Sequence, residues 1–296
     1  MKIFVFLIIF LFYNSHPCNS KEEFIDEKFQ KLLFKALKKK NYNGEFGNKK
    51  NIIITLSNGQ LNGPAYTKFK NGLYKEQAYF KNGFLNGEFI KFNKNGDIEE
   101  RLTFQNGVLN GKSEISSQKY FYISNFKNGK LEGLTKTYFN SKLIKEENFK
   151  NGLLDGIYKE YFENGKLSRL KFFKNNQSNG VSKTYYTNGV LKSEGFFKDD
   201  LLQGQVRIYS SDGTLLSTND YIDGKLHGYV KNYSSTGIVT SSREFVEGFP
   251  IYTTREIEFM KLQTYMQISN QLTNLNYETT IMNNSLRSIS NQILYK

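Results

Sequence analysis

Catalysis and metal binding depend on a few side-chain types, and this chain is short of most of them. It holds two His and one Cys. His16 and Cys18 fall within the first twenty residues, which leaves His227 as the one imidazole beyond them. A lone imidazole without a thiol makes neither a Cys/His metal set nor a Ser- or Cys-based triad. His227 stands at a turn position filled in other copies by Asn110, Glu132, Asp155, Asn179 and Gln203, so it reads as a surface-turn residue. Carboxylates are numerous, but none leaves its repeat position. The glycines separate strands and do not lead into a helix, so they do not form a phosphate loop. The expectation is a chain that is not an enzyme, with no catalytic residue, no metal and no cofactor.

One pattern of charged and aromatic groups does recur. Lys136, Lys159, Lys183, Arg207 and Lys231 stand two residues before Tyr138, Tyr161, Tyr185, Tyr209 and Tyr233. Residues two apart on a strand share a face. With two strands per unit, successive pairs would lie ~9.6 Å apart. A row of cations and rings suits an acidic protein surface, an anionic lipid headgroup or a polyanion. The plainer reading is a solvated strand whose Lys stems cover neighbouring rings. Nucleic acid fits the row by stacking, but the export address described below argues against it. The net charge of +13 is otherwise diffuse, with nine basic and five acidic residues over 21–50, 27 and 20 over 51–252, and four and three over 253–296.

The element that must position this row is a repeat. Asn58-Gly59-Gln60-Leu61-Asn62-Gly63 returns as Asn82-Gly83-Phe84-Leu85-Asn86-Gly87, and again from Asn106, Asn128 and Asn151. Degraded copies start at Asn175, Asp199, Asp223 and Glu247, and the steps are 24, 24, 22, 23 and then 24 throughout. A second turn lies inside most units, at Asn71-Gly72, Asn95-Gly96, Asn164-Gly165, Asn188-Gly189, Asp212-Gly213 and Thr236-Gly237. Asn-Gly and Asp-Gly supply the positive φ that two-residue hairpin turns need. Each unit is therefore read as two antiparallel strands, about sixteen in all, in a ribbon roughly 75 Å long. Aromatics stand in columns: Phe80, Phe104, Phe126, Phe149, Phe173, Phe197, Tyr221 and Phe245 come two residues before the first turns. This accounts for a composition of 38% hydrophobic but 16% aromatic residues. A thin sheet has few fully buried positions, and rings cover it efficiently.

The sequence N-G-x-L-x-G, an aromatic-rich strand, N-G-x-L and F-K-N-G, as in Phe149-Lys150-Asn151-Gly152, resembles MORN repeats of the bacterial MORN-variant type over about residues 51–250. The resemblance implies a mainly β fold, an elongated single-layer antiparallel β-hairpin repeat array. The third unit departs from it, with Ser117-Gln118 in place of a second Asn-Gly. The copies at 178–180 and 248–250 lack the Leu, and distortion is expected there. The resemblance also implies an antitoxin-like alternative, in which the array neutralises a toxin partner.

The flanks differ from the array. Residues 1–20 read as a cleaved signal peptide, with Lys2, an apolar run from Ile3 to Tyr13, and Cys18 and Ser20 before the cut. Acylation of Cys18 as a lipoprotein is the rival reading. Residues 21–50 read as an N-terminal cap with a short amphipathic helix ending in Lys38, Lys39 and Lys40. Residues 253–296 place Tyr265, Ile268, Leu272, Leu275, Thr279, Met282, Leu286, Ile289 and Ile293 at alternating steps of three and four, a heptad seam flanked mostly by Asn, Ser, Gln and Thr. This long helix either self-associates as a coiled coil, making a homo-oligomer, or packs back across the last repeats. With residues 51–252 as the repeats, the expectation is an exported scaffold, secreted or held at the cell envelope. It would present an aromatic and basic β-surface to a protein partner or an anionic membrane surface.

Overall fold

The structure is a computed structural model that describes residues 41–48 and 51–294, with Lys35 and Lys38. The expected signal peptide and the body of the expected N-terminal helix lie outside the described residues. The strands are β1 (Gly44–Asn48), β2 (Ile52–Ser57), β3 (Gln60–Lys68), β4 (Tyr74–Lys81), β5 (Phe84–Phe92), β6 (Ile98–Gln105) and β7 (Val108–Ser117). They continue as β8 (Tyr120–Lys127), β9 (Lys130–Leu131), β10 (Gly133–Phe139), β11 (Lys142–Lys150), β12 (Leu153–Tyr161), β13 (Leu167–Lys174) and β14 (Gln177–Ser178). The last are β15 (Gly180–Tyr185), β16 (Leu191–Lys198), β17 (Leu201–Tyr209), β18 (Leu215–Ile222), β19 (Lys225–Tyr233), β20 (Val239–Val246) and β21 (Phe249–Pro250), followed by helix α1 (Thr254–Leu294). Except at β9–β10 and β14–β15, each strand pairs antiparallel with the next, in one open sheet without crossovers among the described residues. β9 with β10, and β14 with β15, act as single strands interrupted at Glu132 and Asn179. The fold is thus mainly β, a ladder of hairpins with one long helix behind it. The sheet starts earlier than residue 51, because β1 pairs with β2.

The first turns are two-residue loops, as Ser57 opposite Gln60 shows. Asn58 has φ 49° and Gly59 φ 71°, so both central residues lie in the left-handed region that a type I′ turn demands. The second turns are different. Phe69 O accepts from Gly72 N at 3.0 Å, and Phe69 N donates to Leu73 O at 2.8 Å. Only Gly72 is at positive φ there, so the loop is a type I turn closed by a left-handed glycine, and one extra residue bulges in β4. The two short repeat steps follow from this distinction. In the third unit Gln118 and Lys119 form a two-residue loop between Ser117 and Tyr120, and in the fourth Asn140 and Ser141 do the same between Phe139 and Lys142.

A second bulge explains the last glycine of the motif. Ile54 faces Ala65 while Leu56 faces Leu61, so β3 carries extra residues at Asn62-Gly63-Pro64. Gly63 has φ 120°, and a Cβ there would stand 3.0 Å from Thr55 Cγ2. The carbonyl freed by the bulge finds a side chain: Thr55 Oγ1 donates to Pro64 O at 2.8 Å, Thr103 Oγ1 to Lys112 O at 2.9 Å, and Asn148 Nδ2 to Ile157 O at 2.7 Å. The distortion expected at the copies lacking Leu has another basis. The strand breaks at Asn179, where Leu is missing, but breaks in the same way at Glu132, next to an intact Leu131.

Units are stitched to one another along one edge of the ribbon. Gly83 N donates to Leu61 O at 2.8 Å, Gly107 N to Leu85 O at 2.7 Å, and Gly152 N to Leu131 O at 2.8 Å. Where Asn176 and Asp200 replace the turn glycine, their side chains also reach back, accepting from Leu154 N and Ser178 N at 2.6 Å each. The column aromatics sit over this edge. Phe80 lies opposite Leu85 and Gly63, and Phe173 opposite Ser178 and Gly156. Each column ring thus stands directly opposite a bulge glycine on one neighbouring strand.

Helix α1 starts at a capping box. Thr253 Oγ1 accepts from Glu256 N at 3.3 Å, and Glu256 Oε2 accepts from Thr253 N at 2.8 Å. Arg243 on β20 donates to Glu256 Oε1 at 2.6 Å. The Arg243 bond, then those from Thr253, hold the Glu256 carboxyl down at about 2. Every described side chain from Ile257 to Arg287 is exposed, so α1 does not pack across the last repeats. No helix among the described residues is long and apolar enough to cross a membrane.

Candidate docking face

The five cations fall on one line across the sheet because the bulges set the register. Counting back from the Asn140-Ser141 turn without a bulge would set Lys136 opposite Lys145. The shift between Thr137 and Tyr138 instead brings Glu146 opposite Lys136. In the same way Glu194 comes opposite Lys183. The pairing then runs Lys136, Glu146, Lys159, Leu170, Lys183, Glu194, Arg207, Thr218, Lys231 and Ser242, each residue directly opposite the next on the neighbouring strand.

The intervening carboxylates hold the cations in two triads. Glu146 stands 3.4 Å from Lys136 Nζ and 3.8 Å from Lys159 Nζ, and accepts from the Tyr161 hydroxyl at 2.8 Å. Glu194 stands 3.4 Å from Lys183 and 3.2 Å from Arg207, and accepts from the Tyr209 hydroxyl at 3.4 Å. Burial works against the charged form of both carboxylates. For Glu146 the bonds from Tyr161 and Lys136, and for Glu194 those from Arg207 and Lys183, outweigh it and hold each carboxyl below its ordinary range. The same burial, followed by the bond to Glu146, pushes the Tyr161 hydroxyl up to about 12. Each triad keeps one net positive charge. The cation side chains remain 34–47% exposed, against 16% and 23% for Glu146 and Glu194. Lys231 faces Thr218 and Ser242 and lies 5.4 Å from the Tyr229 ring centroid.

Two further rows share this face. Tyr138, Tyr161, Tyr185, Tyr209 and Tyr233 are half-buried on the side of the second turns. On the side of the first turns lie Leu134, Ile157, Val181 and Phe196, all exposed, with half-buried Phe172 directly opposite Ile157. The opposite face carries the column aromatics, Phe149, Phe173 and Phe197, with Leu154 and Leu202. The docking face is therefore an exposed apolar strip beside a net-positive row beside a tyrosine row, repeated every two strands.

All ten residues singled out from the sequence lie together on this face. The carboxylates Glu146 and Glu194 and the apolar strip were not singled out. Their signal is the register, which the bulges alter. His227 sits in the bulge between Leu226 and Gly228. Side chains at this position reach the next unit's first turn: Glu132 accepts from Asn151 N at 2.8 Å, Asn179 Nδ2 donates to Asp199 Oδ1 at 2.9 Å, and His227 Nδ1 lies 3.8 Å from Glu247. Among the described residues, no group of three His, Cys, Asp or Glu is placed to hold a metal.

With this geometry in view, residues 85–106, 154–175 and 178–199 each match the MORN repeat variant family. The chain carries MORN-variant repeats. Each matched segment runs from the residue paired with the column aromatic to the next unit's first turn. No curated protein sequence matches the chain significantly. Two solved structures align with it, an S. aureus TarM mutant in complex with fondaparinux, α-GlcNAc-glycerol and UDP, and TarM. Their identities are 12% and 14%, over 67% and 65% of this chain and 27% of TarM, with TM-scores of 0.14 and 0.13. The chain thus spans about a quarter of the length of those structures. A likeness at those scores carries no argument about this MORN array. MORN repeats point to a binding or scaffold protein.

Proposed function

We propose that the protein is an exported, non-enzymatic scaffold whose Lys/Tyr face docks an acidic protein surface at the cell envelope. The observation that carries this reading is the docking face itself. Lys136, Lys159, Lys183 and Arg207 are held in register by buried-side carboxylates, keep a net positive charge, and stand beside the exposed strip of Leu134, Ile157, Val181 and Phe196. Binding surfaces on sheets combine such an apolar strip with ordered charge, the first for affinity and the second for register and rate. Export rests on the apolar run Ile3–Tyr13 after Lys2, and fractionation that left the protein in the cytoplasm with residues 1–20 attached would remove it.

The test is capture from envelope extract with the protein and with a Lys136→Glu, Lys159→Glu, Lys183→Glu variant. The variant loses the captured partner, or binds it roughly 100-fold more weakly, as reversing several interface charges does. Capture of the same partner at equal strength by the variant would sink the reading. The same cations favour a second reading, anionic lipid headgroups. Vesicles with and without anionic lipid separate the two, since a protein-docking face leaves both kinds of vesicle unbound.

A further inference from the structure

We propose that α1 pairs with α1 of a second copy of this chain, along the seam from Tyr265 to Leu286, so that the protein works as a dimer of ribbons. This does not rest on the docking reading. The seam residues Tyr265, Ile268, Leu272, Leu275, Met282 and Leu286 are 47–70% exposed, and nothing within the described chain covers them. A helix with such a stripe is stable in water when the stripe is buried against another element.

Three observations choose a second copy as the occupant. The flanks of the seam, Ser269, Gln271, Asn276, Asn283 and Ser285, carry no charge, and Glu278 is the one ionised residue among them. An identical helix therefore meets no repulsion, and no charge pattern prescribes a different partner. The one polar seam residue, Thr279, already donates its hydroxyl to Leu275 O at 2.7 Å, so it enters an apolar interface without an unpaired donor. Finally, the area suffices. Six large side chains with on the order of 100 Å² each still to cover give roughly 1,200 Å² over two helices, at the lower end of stable interfaces. Each dimer then carries two arrays, and a partner with paired sites meets the second array at high effective concentration.

Phe259 provides the internal control, because it is 58% exposed on the same helix but off the seam. Sedimentation equilibrium of the full chain is expected to give twice the monomer mass at micromolar concentration. Leu272→Asp with Leu275→Asp is expected to weaken self-association by roughly 100-fold or more, while the β signal in circular dichroism stays unchanged. Phe259→Ser leaves the dimer intact. A wild-type chain that stays monomeric at tens of micromolar, a seam variant that still dimerises, or dissociation caused by Phe259→Ser would each overturn the proposal.

Discussion

The first units and the later units of the array use one repeat to reach two kinds of interior. Among the described residues, all eight buried apolar side chains lie between Ile53 and Leu102. Ile54, Leu56, Leu61, Ala65 and Phe80 form a dry cluster, packed by Tyr42, Phe46 and Leu85. Beyond Leu102 the side chains that reach full burial are hydroxyls: Ser113, Ser124, Thr135, Thr137, Ser178 and Thr218. The column rings there stay half-buried. Backbone pairing runs through both regions, interrupted in the later one at Glu132 and Asn179. Stability in the later units therefore comes from ladder hydrogen bonds, half-buried rings paired across strands with glycines, and ordered charge. The difference places the closest apolar packing at one end and leaves a chemically varied, half-exposed surface at the other, where the candidate docking face lies.

The largest expected effect tests the dry cluster. Ile54 is fully buried, and Ile54→Ala should cost about 2–5 kcal/mol through lost transfer energy and an unfilled cavity. Leu154 is the later unit's counterpart of Leu61, which is buried in that same cluster, and is itself half-exposed, so Leu154→Ala should cost on the order of 1 kcal/mol. Denaturant unfolding followed by a probe in each region measures both, since repeat arrays lose neighbouring units in steps. Equal costs would mean that the two interiors differ in appearance only.

A smaller contrast concerns backbone. Gly63 combines φ 120° with a Cβ position 3.0 Å from Thr55, whereas Gly204, at the same place in a later unit, has φ 73° and open space around it. Gly63→Ala should cost about 2–3 kcal/mol, from backbone strain and from pushing on Thr55, whose hydroxyl holds the Pro64 carbonyl. Gly204→Ala should cost about 1 kcal/mol, the penalty of a left-handed Ala. Thermal melts of the two variants check this, and a larger loss for Gly204→Ala would reverse the ranking of the two regions.

What could be read in advance follows from how strictly each feature constrains its residues. Positive φ at both centres of a type I′ turn admits few residue types, so Asn58-Gly59 and its copies announce the hairpins, the strand order and the family resemblance. The same logic fails where tolerance is wider. Gln118 at φ 52° and the Asn140-Ser141 pair at φ 46° and 63° make turns without glycine, which left the steps of 22 and 23 unexplained. Gly63, Gly87 and Gly111 looked like parts of the turn before them, because a bulge glycine and a turn glycine are identical in sequence. The Lys/Tyr pairs were legible from strand alternation alone. Glu146 was not, because one bulged residue decides whether Lys136 faces Lys145 or Glu146. The helical pattern of α1 was plain from its three-and-four spacing, while its standing clear of the sheet depends on tertiary packing that no local pattern encodes.

The smallest effect concerns pH and belongs to the later units. Glu146 and Glu194 hold carboxyls that titrate below their ordinary range in the folded chain, where Tyr161, Lys136, Arg207 and Lys183 favour the charged form more than burial disfavours it. In the unfolded chain both return to the usual glutamate value near 4.5. The unfolded state therefore binds protons first as pH falls. The two triads contribute their full stabilisation above that value and lose it as pH drops through the lower folded values. Each is worth less than about 1 kcal/mol, since the partner cations stay more than a third exposed or close to it. Glu146→Gln with Glu194→Gln should lower the melting temperature of the later units at pH 7 and flatten their decline between pH 5 and 3. The buried carboxylate of the first units, Glu76, bonds to Thr67 and is untouched by the substitutions, so a probe beside Ile54 should report the same pH dependence with and without them. A decline of the later units that keeps its slope in the double variant would show that the triads do not tie the docking face to the stability of the sheet beneath it.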